Sequence, residues 1–132
     1  IISKNQVGDI VAHSLPADEY AGKKVLLIVP DHTRSAPVGQ LFKAIHAQIG
    51  GATAKLDVMI ALGTHQPMSE EAICGRLEIS PDERRGQFAA HRLAANDGID
   101  FPLFLACRRD DFAFVVIARY AVVANFLGQY SR

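Results

Sequence analysis

Two short polar clusters carry the residues of this sequence that could do chemistry: residues 31–34 (DHTR) and residues 63–65 (GTH). Arg34 can bind a carboxylate or phosphate through two parallel hydrogen bonds. His65 can move a proton near neutral pH, and Asp31 could orient that histidine or bind a hydroxyl group. One site built from both clusters would therefore combine a carboxylate, a guanidinium and an imidazole.

The remaining cluster residues could help to bind an anion. Thr33 and Thr64 offer hydroxyl groups and nearby backbone N–H groups at the start of a helix. Each residue also has an ordinary structural interpretation, since Asp31 could be a turn residue and Arg34 a solvated loop charge. A single loop histidine such as His65 is usually structural. The position of both clusters in the predicted fold favours the functional interpretation.

The sequence around the other histidines gives weaker evidence for a functional role. We expect His32 to face solvent, and His46 to be exposed because it lies beside the apolar stripe of its helix. A metal-assisted hydrolase using Asp31 and His65 is a weak third possibility, because two candidate ligands are too few for a closed metal site. We therefore predict no protein-bound metal ion.

The elements that position the clusters are two strands and the helix between them. Residues 24–29 (KVLLIV) and 56–62 (LDVMIAL) are continuous apolar runs, typical of strands buried on both faces of a parallel sheet. Between them, Pro37 suits the first turn of a helix, and Gly50 and Gly51 suit its C-terminal cap. The helix stripe consists of Val38, Leu41, Phe42, Ile45 and Ile49.

Flanking segments complete the prediction. Residues 5–14 have helical spacing, with Val7, Ile10 and Val11 on the apolar side, and residues 18–22 form a polar connection. Ser69 can cap another short helix. We therefore predict an α/β fold with a short parallel sheet, a strand–helix–strand crossover and flanking helices, as in Rossmann-like domains. Neighbouring parallel strands would bring the two clusters to within roughly 5 Å at the backbone, at the sheet edge where such folds bind ligands.

Overall composition excludes several classes of protein. Lys plus Arg equals Asp plus Glu, so the formal net charge is zero. This argues against a basic nucleic-acid module and against a polybasic membrane-surface protein. The cysteines, Cys74 and Cys107, are isolated, and we expect reduced thiols in a cytoplasmic protein.

Composition changes near Gln87. Residues 1–87 hold every lysine and every glutamate, whereas residues 88–132 hold all but one of the seven phenylalanines. We therefore separate an α/β domain at 1–87 from an uncertain tail at 88–132. A shifted reading frame, a truncation or a divergent ending would each produce such a tail. Residues 112–123 could form a strand or a buried helix.

Both clusters resemble motifs of one family. VPDHTRSAP is similar to the D-x-T-R-x-x-P loop of the nickel-dependent lactate racemases, and ALGTHQPMSEEAI resembles their A-x-G-T-H-R-x-M-T-x-E-E motif. The order of the motifs, their spacing and the intervening helix also match, over about residues 5–87. Gln66 stands where the family often has arginine, and Ser35 and Ala36 vary the usual loop.

The resemblance implies an isomerase that racemises or epimerises a 2-hydroxy acid with a nickel-pincer nucleotide. His65 matches one of two acid/base histidines, and Arg34 matches the residue that holds the substrate carboxylate. Asp31 and Thr33 match the loop that lines the cofactor, with Gly63 and Thr64 also expected to contact it. The implied partner is a small 2-hydroxy acid, with neither nucleic acid nor membrane involved.

The family's second histidine and its covalent anchor, a lysine in a glycine-rich loop, have no counterpart in residues 88–132. The second domain of the full-length enzyme would also be missing. We expect this chain alone to be an incomplete and inactive racemase. The alternative is a non-catalytic module that binds an anion or hydroxy acid and has lost the cofactor anchor.

Overall fold

A five-stranded sheet forms the centre of the fold in the computed structural model, which describes residues 3–32, 36–62, 66–91, 93–94, 112–117 and 122–126. The strands are β1 (Lys24–Pro30), β2 (Lys55–Ala61), β3 (Leu93–Ala94), β4 (Phe112–Ile117) and β5 (Val122–Phe126). Their order across the sheet is β3-β2-β1-β4-β5, with β1 in the middle. All neighbouring pairs are parallel except β4 with β5, which is antiparallel.

The α/β fold class with a parallel strand–helix–strand unit is confirmed. Within the described residues, five helices accompany the sheet: α1 (Lys4–Ser14), α2 (Ala17–Tyr20), α3 (Val38–Ile49), α4 (Glu70–Arg76) and α5 (Pro81–Arg85). Helix α3 connects β1 to β2, and these strands pair in parallel from Lys24 with Lys55 to Pro30 with Ala61. A parallel pair needs such a crossover, because the chain must return to the edge at which the first strand began.

Strand β1 is buried because it is central. Val25, Leu26, Leu27 and Val29 are all buried, and they alternate between the two faces of the sheet. A continuous apolar run is what a strand covered on both faces requires, so the sequence signal was sufficient here.

The α3 helix begins one residue later than predicted, and the backbone conformation at its C-terminal cap differs from the predicted one. Pro37 takes the N-cap position, immediately before the first helical residue. Gly50 is the C-cap but has φ −59°, so it does not form the left-handed cap expected from a glycine pair. The need for glycine is steric instead: a Cβ at Gly50 would lie 2.5 Å from the carbonyl oxygen of His46.

Two predictions near the N-terminus were wrong. Ile10 is 48% exposed, whereas Val7 and Val11 are buried, so the apolar side of α1 is narrower than its sequence spacing indicated. The segment predicted as a polar connection contains α2, whose Tyr20 is fully buried. The aromatic ring packs into the core and holds this segment against it, although the neighbouring residues Asp18 and Glu19 are polar.

The predicted exposure of His46 was also wrong. Its imidazole is partly buried and packs edge-on against Phe88, with the ring centroids 4.8 Å apart. Phe88 and the α3 residue Phe42 are fully buried neighbours, with centroids 5.1 Å apart. Residues just beyond Gln87 therefore pack onto α3, which a helix stripe read from α3 alone could not indicate.

Residues 112–117 and 122–126 form strands, which settles the choice left open between a strand and a helix. β4 pairs with β1 from Lys24 with Phe112 to Ile28 with Val116, and Ala113 and Val115 are buried.

In the part of the chain that the structure describes, no helix is long and apolar enough to cross a membrane.

Candidate functional site at the carboxyl ends of β1 and β2

Strands β1 and β2 end side by side. Pro30 and Ala61 are the last partners in their register, so the segments that begin at residues 31 and 62 leave the sheet at the same edge. This is the edge at which parallel α/β sheets bind ligands. Five of the candidate residues lie outside the described residues, and their roles stay predictions: Thr33, Arg34, Gly63, Thr64 and His65.

Asp31 lies at this edge and is buried. Its exposed fraction is 3%, and it is the single charged or polar residue in the buried set of the described chain. A carboxylate is removed from water only at a substantial cost in free energy unless other groups compensate its charge. A simple turn residue would not need this environment, so burial favours a specific role for Asp31.

Arg76 approaches the same edge from α4. Its Nε donates a hydrogen bond to the carbonyl oxygen of Pro30 at 3.0 Å. Burial lowers the pKa of Arg76, and the negative charge of Asp31 acts in the opposite direction. Sequence reasoning missed this residue, because an arginine in the last turn of a short helix is normally a solvated charge.

A Ser69 cap sets the start of α4, as predicted. The Ser69 hydroxyl accepts a hydrogen bond from the backbone N–H of Ala72 at 3.1 Å, and Glu70 and Glu71 occupy the first turn. The following helix, α5, is tied to α4 by Arg84, whose Nε donates to Glu70 Oε1 at 2.7 Å. These contacts fix the direction in which Arg76 leaves α4.

A cavity of about 800 Å³ lies between the segments that follow β1 and β2. This volume is within the usual range of about 300–1,000 Å³ for cofactor and substrate sites. The lining residues come from the loop after β1, the start of α3, the segment before α4, α4 itself and the residues just after it: His32, Ala36, Val38, Gly39, Gln66, Pro67, Met68, Ser69, Ala72, Gly75, Arg76 and Glu78.

The exposed His32 therefore contributes to the cavity wall as well as facing solvent. Met68 packs partly against the core, as a methionine that fills space would do. Within the described residues there is no group of three or more His, Cys, Asp or Glu side chains that could hold a metal ion. The cavity wall itself supplies a cation at Arg76 and an amide at Gln66.

Glu78 and Gly39 meet at the cavity wall. Glu78 follows α4 with φ 54°, a left-handed conformation that residues with a Cβ rarely adopt. A Cβ added to Gly39 would overlap the Glu78 side chain. Gly39 is therefore needed for the close approach between the start of α3 and the chain after α4.

An α/β sheet whose adjacent parallel strands end beside a cavity, with a buried carboxylate directly after one of them, is the arrangement in which proteins of the α/β class bind ligands. The chain belongs to the lactate racemase N-terminal domain family, whose model matches residues 9–80. Comparison with curated proteins gives no match.

The fold is similar to a crystal structure of a Thermotoga maritima protein from the Northeast Structural Genomics Consortium, with a TM-score of 0.58 and 22% sequence identity. The similarity covers 74% of this chain and 22% of that chain. At this level of identity the similarity concerns the fold alone. The chain thus corresponds to about a fifth of that protein's length.

Proposed function

We propose that this chain is the N-terminal part of a 2-hydroxy-acid racemase or epimerase of the lactate type that depends on a nickel-pincer nucleotide. The observation that carries the proposal is the common edge of β1 and β2, where the buried Asp31 is followed by His32, which lines a cavity of about 800 Å³. Membership of the lactate racemase N-terminal domain family supports a racemase, and this edge is where its substrate would bind.

The residues present fit the cofactor in size and chemistry. The cavity offers a cationic side chain, Arg76, polar groups at Gln66 and Ser69, and an apolar contact at Met68. When bound, a nickel-pincer nucleotide supplies hydride acceptance and return at the carbinol carbon of the substrate. We assign Asp31, Thr33, Gly63 and Thr64 to holding it.

The remaining roles fall to two side chains. Arg34 would bind the substrate carboxylate through two parallel hydrogen bonds, which fixes the orientation of the carbinol carbon. His65 would accept the hydroxyl proton as the hydride leaves and return it when the hydride comes back, because an imidazole titrates near neutral pH. A cytoplasmic location accompanies this proposal and rests on the isolated spacing of the two cysteines in the sequence and on Cys74, which is buried and free.

Stereochemical turnover tests the proposal. The full-length enzyme that carries this domain is produced in a host that makes the cofactor and is supplied with L-lactate, and D-lactate is measured with a stereospecific assay. We expect His65→Ala to lower kcat by about 10²–10⁴-fold, the usual contribution of a general base. The matched control is His13→Ala, because His13 is exposed in the last turn of α1, and it should keep the wild-type rate.

The second candidate function is a non-catalytic module that binds a 2-hydroxy acid. The observation that favours it is the cavity wall, where Arg76 supplies a cation and Gln66 an amide that could bind a carboxylate without any further chemistry. Calorimetric titration with sodium L-lactate separates the candidates. Binding that depends on Arg34 without any turnover supports the module, and the absence of both binding and turnover contradicts both functions.

A further inference from the structure

We propose that Arg76 is a positioning residue for this site, whose guanidinium holds the Asp31 carboxylate and the end of β1 in place at the cavity wall. The inference rests on the proposed function, because it assigns Arg76 to the same hydroxy-acid site. Neither sequence motif contains Arg76, which lies in α4, beyond the second of them.

The first support is a hydrogen bond across the site. Arg76 Nε lies 3.0 Å from the carbonyl oxygen of Pro30, and Pro30 is the residue immediately before Asp31. Pro30 is also the last residue of β1 and pairs with Ala61 of β2. The guanidinium therefore binds the backbone at the point where the chain leaves the sheet and enters the first polar cluster.

The second support is charge. Asp31 is 3% exposed, and a buried carboxylate is costly without compensating positive charge. Arg76 is partly buried, and the attraction of Asp31 opposes the effect of that burial on the guanidinium. An arginine stays protonated in such an environment, so it can supply permanent positive charge where a lysine could lose its proton.

The planar guanidinium explains why one side chain can serve two partners. It carries five N–H donors in a rigid fork, so Nε can donate to a carbonyl oxygen while the remaining N–H groups face elsewhere. Lysine would keep the charge but has no such fork. The conservative substitution therefore separates the effect of charge from that of directed hydrogen bonding.

Arg76 also connects the two elements that border the site, α4 and the end of β1. It belongs to α4, which follows the second polar cluster, yet it binds the end of β1, which precedes the first cluster. It also lines the cavity between them. Arg76 consequently links α4 to the end of β1.

A double-mutant cycle tests the contact independently of any activity. Thermal unfolding is measured for wild type, Arg76→Gln, Asp31→Asn and the double variant. If Arg76 compensates the charge of the buried Asp31, removing either side chain is expected to lower Tm by about 5 °C or more. Arg76→Gln should have less than half that effect in the Asp31→Asn background. Equal effects in both backgrounds would overturn the assignment.

A binding measurement tests the positioning role. L-lactate is titrated into the wild-type chain, Arg76→Gln, Arg76→Lys and the control Arg85→Gln, whose side chain is exposed and paired with Asp82 on α5. We expect Kd to rise about tenfold in Arg76→Gln, to recover partly in Arg76→Lys and to be unchanged in Arg85→Gln. If Arg76→Gln fails to fold, Arg76→Lys decides the question, because loss of the fork alone should still weaken binding.

The two measurements distinguish this inference from the proposed function. Wild-type protein that binds no lactate contradicts the hydroxy-acid site, while the cycle still decides whether Arg76 holds Asp31. Coupling in the cycle together with unchanged lactate binding in Arg76→Gln would leave only a structural ion pair and overturn the positioning role.

Discussion

His46 and His91 face each other through their Nε2 atoms, which lie 3.0 Å apart. The other ring nitrogen of His91, Nδ1, lies 2.8 Å from the carbonyl oxygen of Leu56. Because a carbonyl oxygen can only accept, Nδ1 of His91 carries the proton and its Nε2 presents a lone pair to the Nε2–H of His46. The pair therefore joins α3, β2 and the segment after Phe88 while both rings are neutral.

This geometry predicts that stability decreases in mildly acidic solution. Burial, and then the positive charge of His91 when it is protonated, lowers the pKa of His46 below its ordinary value of 6.5. Below pH 6.5 the unfolded chain then binds more protons than the folded chain. The contribution of His46 to the free energy of unfolding is therefore fully present above pH 6.5 and decreases as the pH drops below it. We expect the loss to be small, because both rings are partly exposed and solvent screens the interaction between them.

Urea unfolding between pH 8 and pH 5 measures this effect. His46→Gln should flatten the pH dependence, because glutamine can donate a hydrogen bond without titrating. His13→Gln is the control, since His13 is exposed and should leave the wild-type slope unchanged. A slope in His46→Gln equal to that of wild type would show that other groups cause the pH dependence.

Gly39→Ala should destabilise the domain. Its Cβ would overlap the side chain of Glu78, and overpacking of this kind typically costs about 1–3 kcal/mol. The matched control is Gly8→Ala in the exposed part of α1, where no atom lies within 4 Å of the added Cβ. That control should stabilise the helix by about 0.5–1 kcal/mol, as alanine does relative to glycine.

Glu78→Gly offers a second test of the same contact. Glycine adopts the left-handed conformation at φ 54° without the strain of about 1 kcal/mol that a Cβ introduces there. Combined with Gly39→Ala, it should restore most of the lost stability, since the overlapping side chain is gone. Additive effects in chemical denaturation would contradict direct contact between the two positions.

Ser69→Ala should loosen α4 and with it the candidate site. Loss of the hydrogen bond from the Ala72 N–H typically costs about 1 kcal/mol. Hydrogen exchange of the α4 amides should accelerate, while exchange in β1 should not change. Ser14→Ala, at the exposed C-terminal end of α1, is the control and should leave both sets of amides as they are.

Leu27→Ala should be among the most damaging single substitutions. Leu27 is fully buried in the central strand, and such truncations cost about 2–5 kcal/mol. Ile10→Ala removes a comparable side chain that is 48% exposed, so its cost should be less than about 1 kcal/mol. Equal losses for the two variants in chemical denaturation would contradict the burial seen here.

Sequence reasoning succeeded where one local pattern determines one element. The apolar runs predicted β1 and β2, and Ser69 with the following glutamates predicted the start of α4, because caps and buried strands depend on adjacent residues. It failed where the environment of a residue depends on contacts with residues far away in the sequence. His46 was expected to be exposed because nothing in α3 indicates that Phe88 and His91 pack against it.

The same distinction between local and distant determinants applies to the residues of the candidate site. The position of Asp31 directly after β1 could be predicted from the apolar run that precedes it, whereas its role stays a prediction. Arg76 could not, since its contact with Pro30 joins residues 46 positions apart and depends on the direction of α4. Tyr20 was missed for a similar reason, because its polar neighbours concealed a ring that the tertiary fold buries.

The central place of β1 constrains the order in which the sheet can assemble. Leu27 pairs with Val58 on one side and with Val115 on the other, so the second partner is far more distant along the chain. Closing a longer loop costs more entropy and slows folding, so we expect β1 to join β2 well before β4 arrives. During biosynthesis one edge of β1 would then stay unpaired until β4 has been translated. Such edges promote association between chains, so the refolding yield should fall steeply with protein concentration.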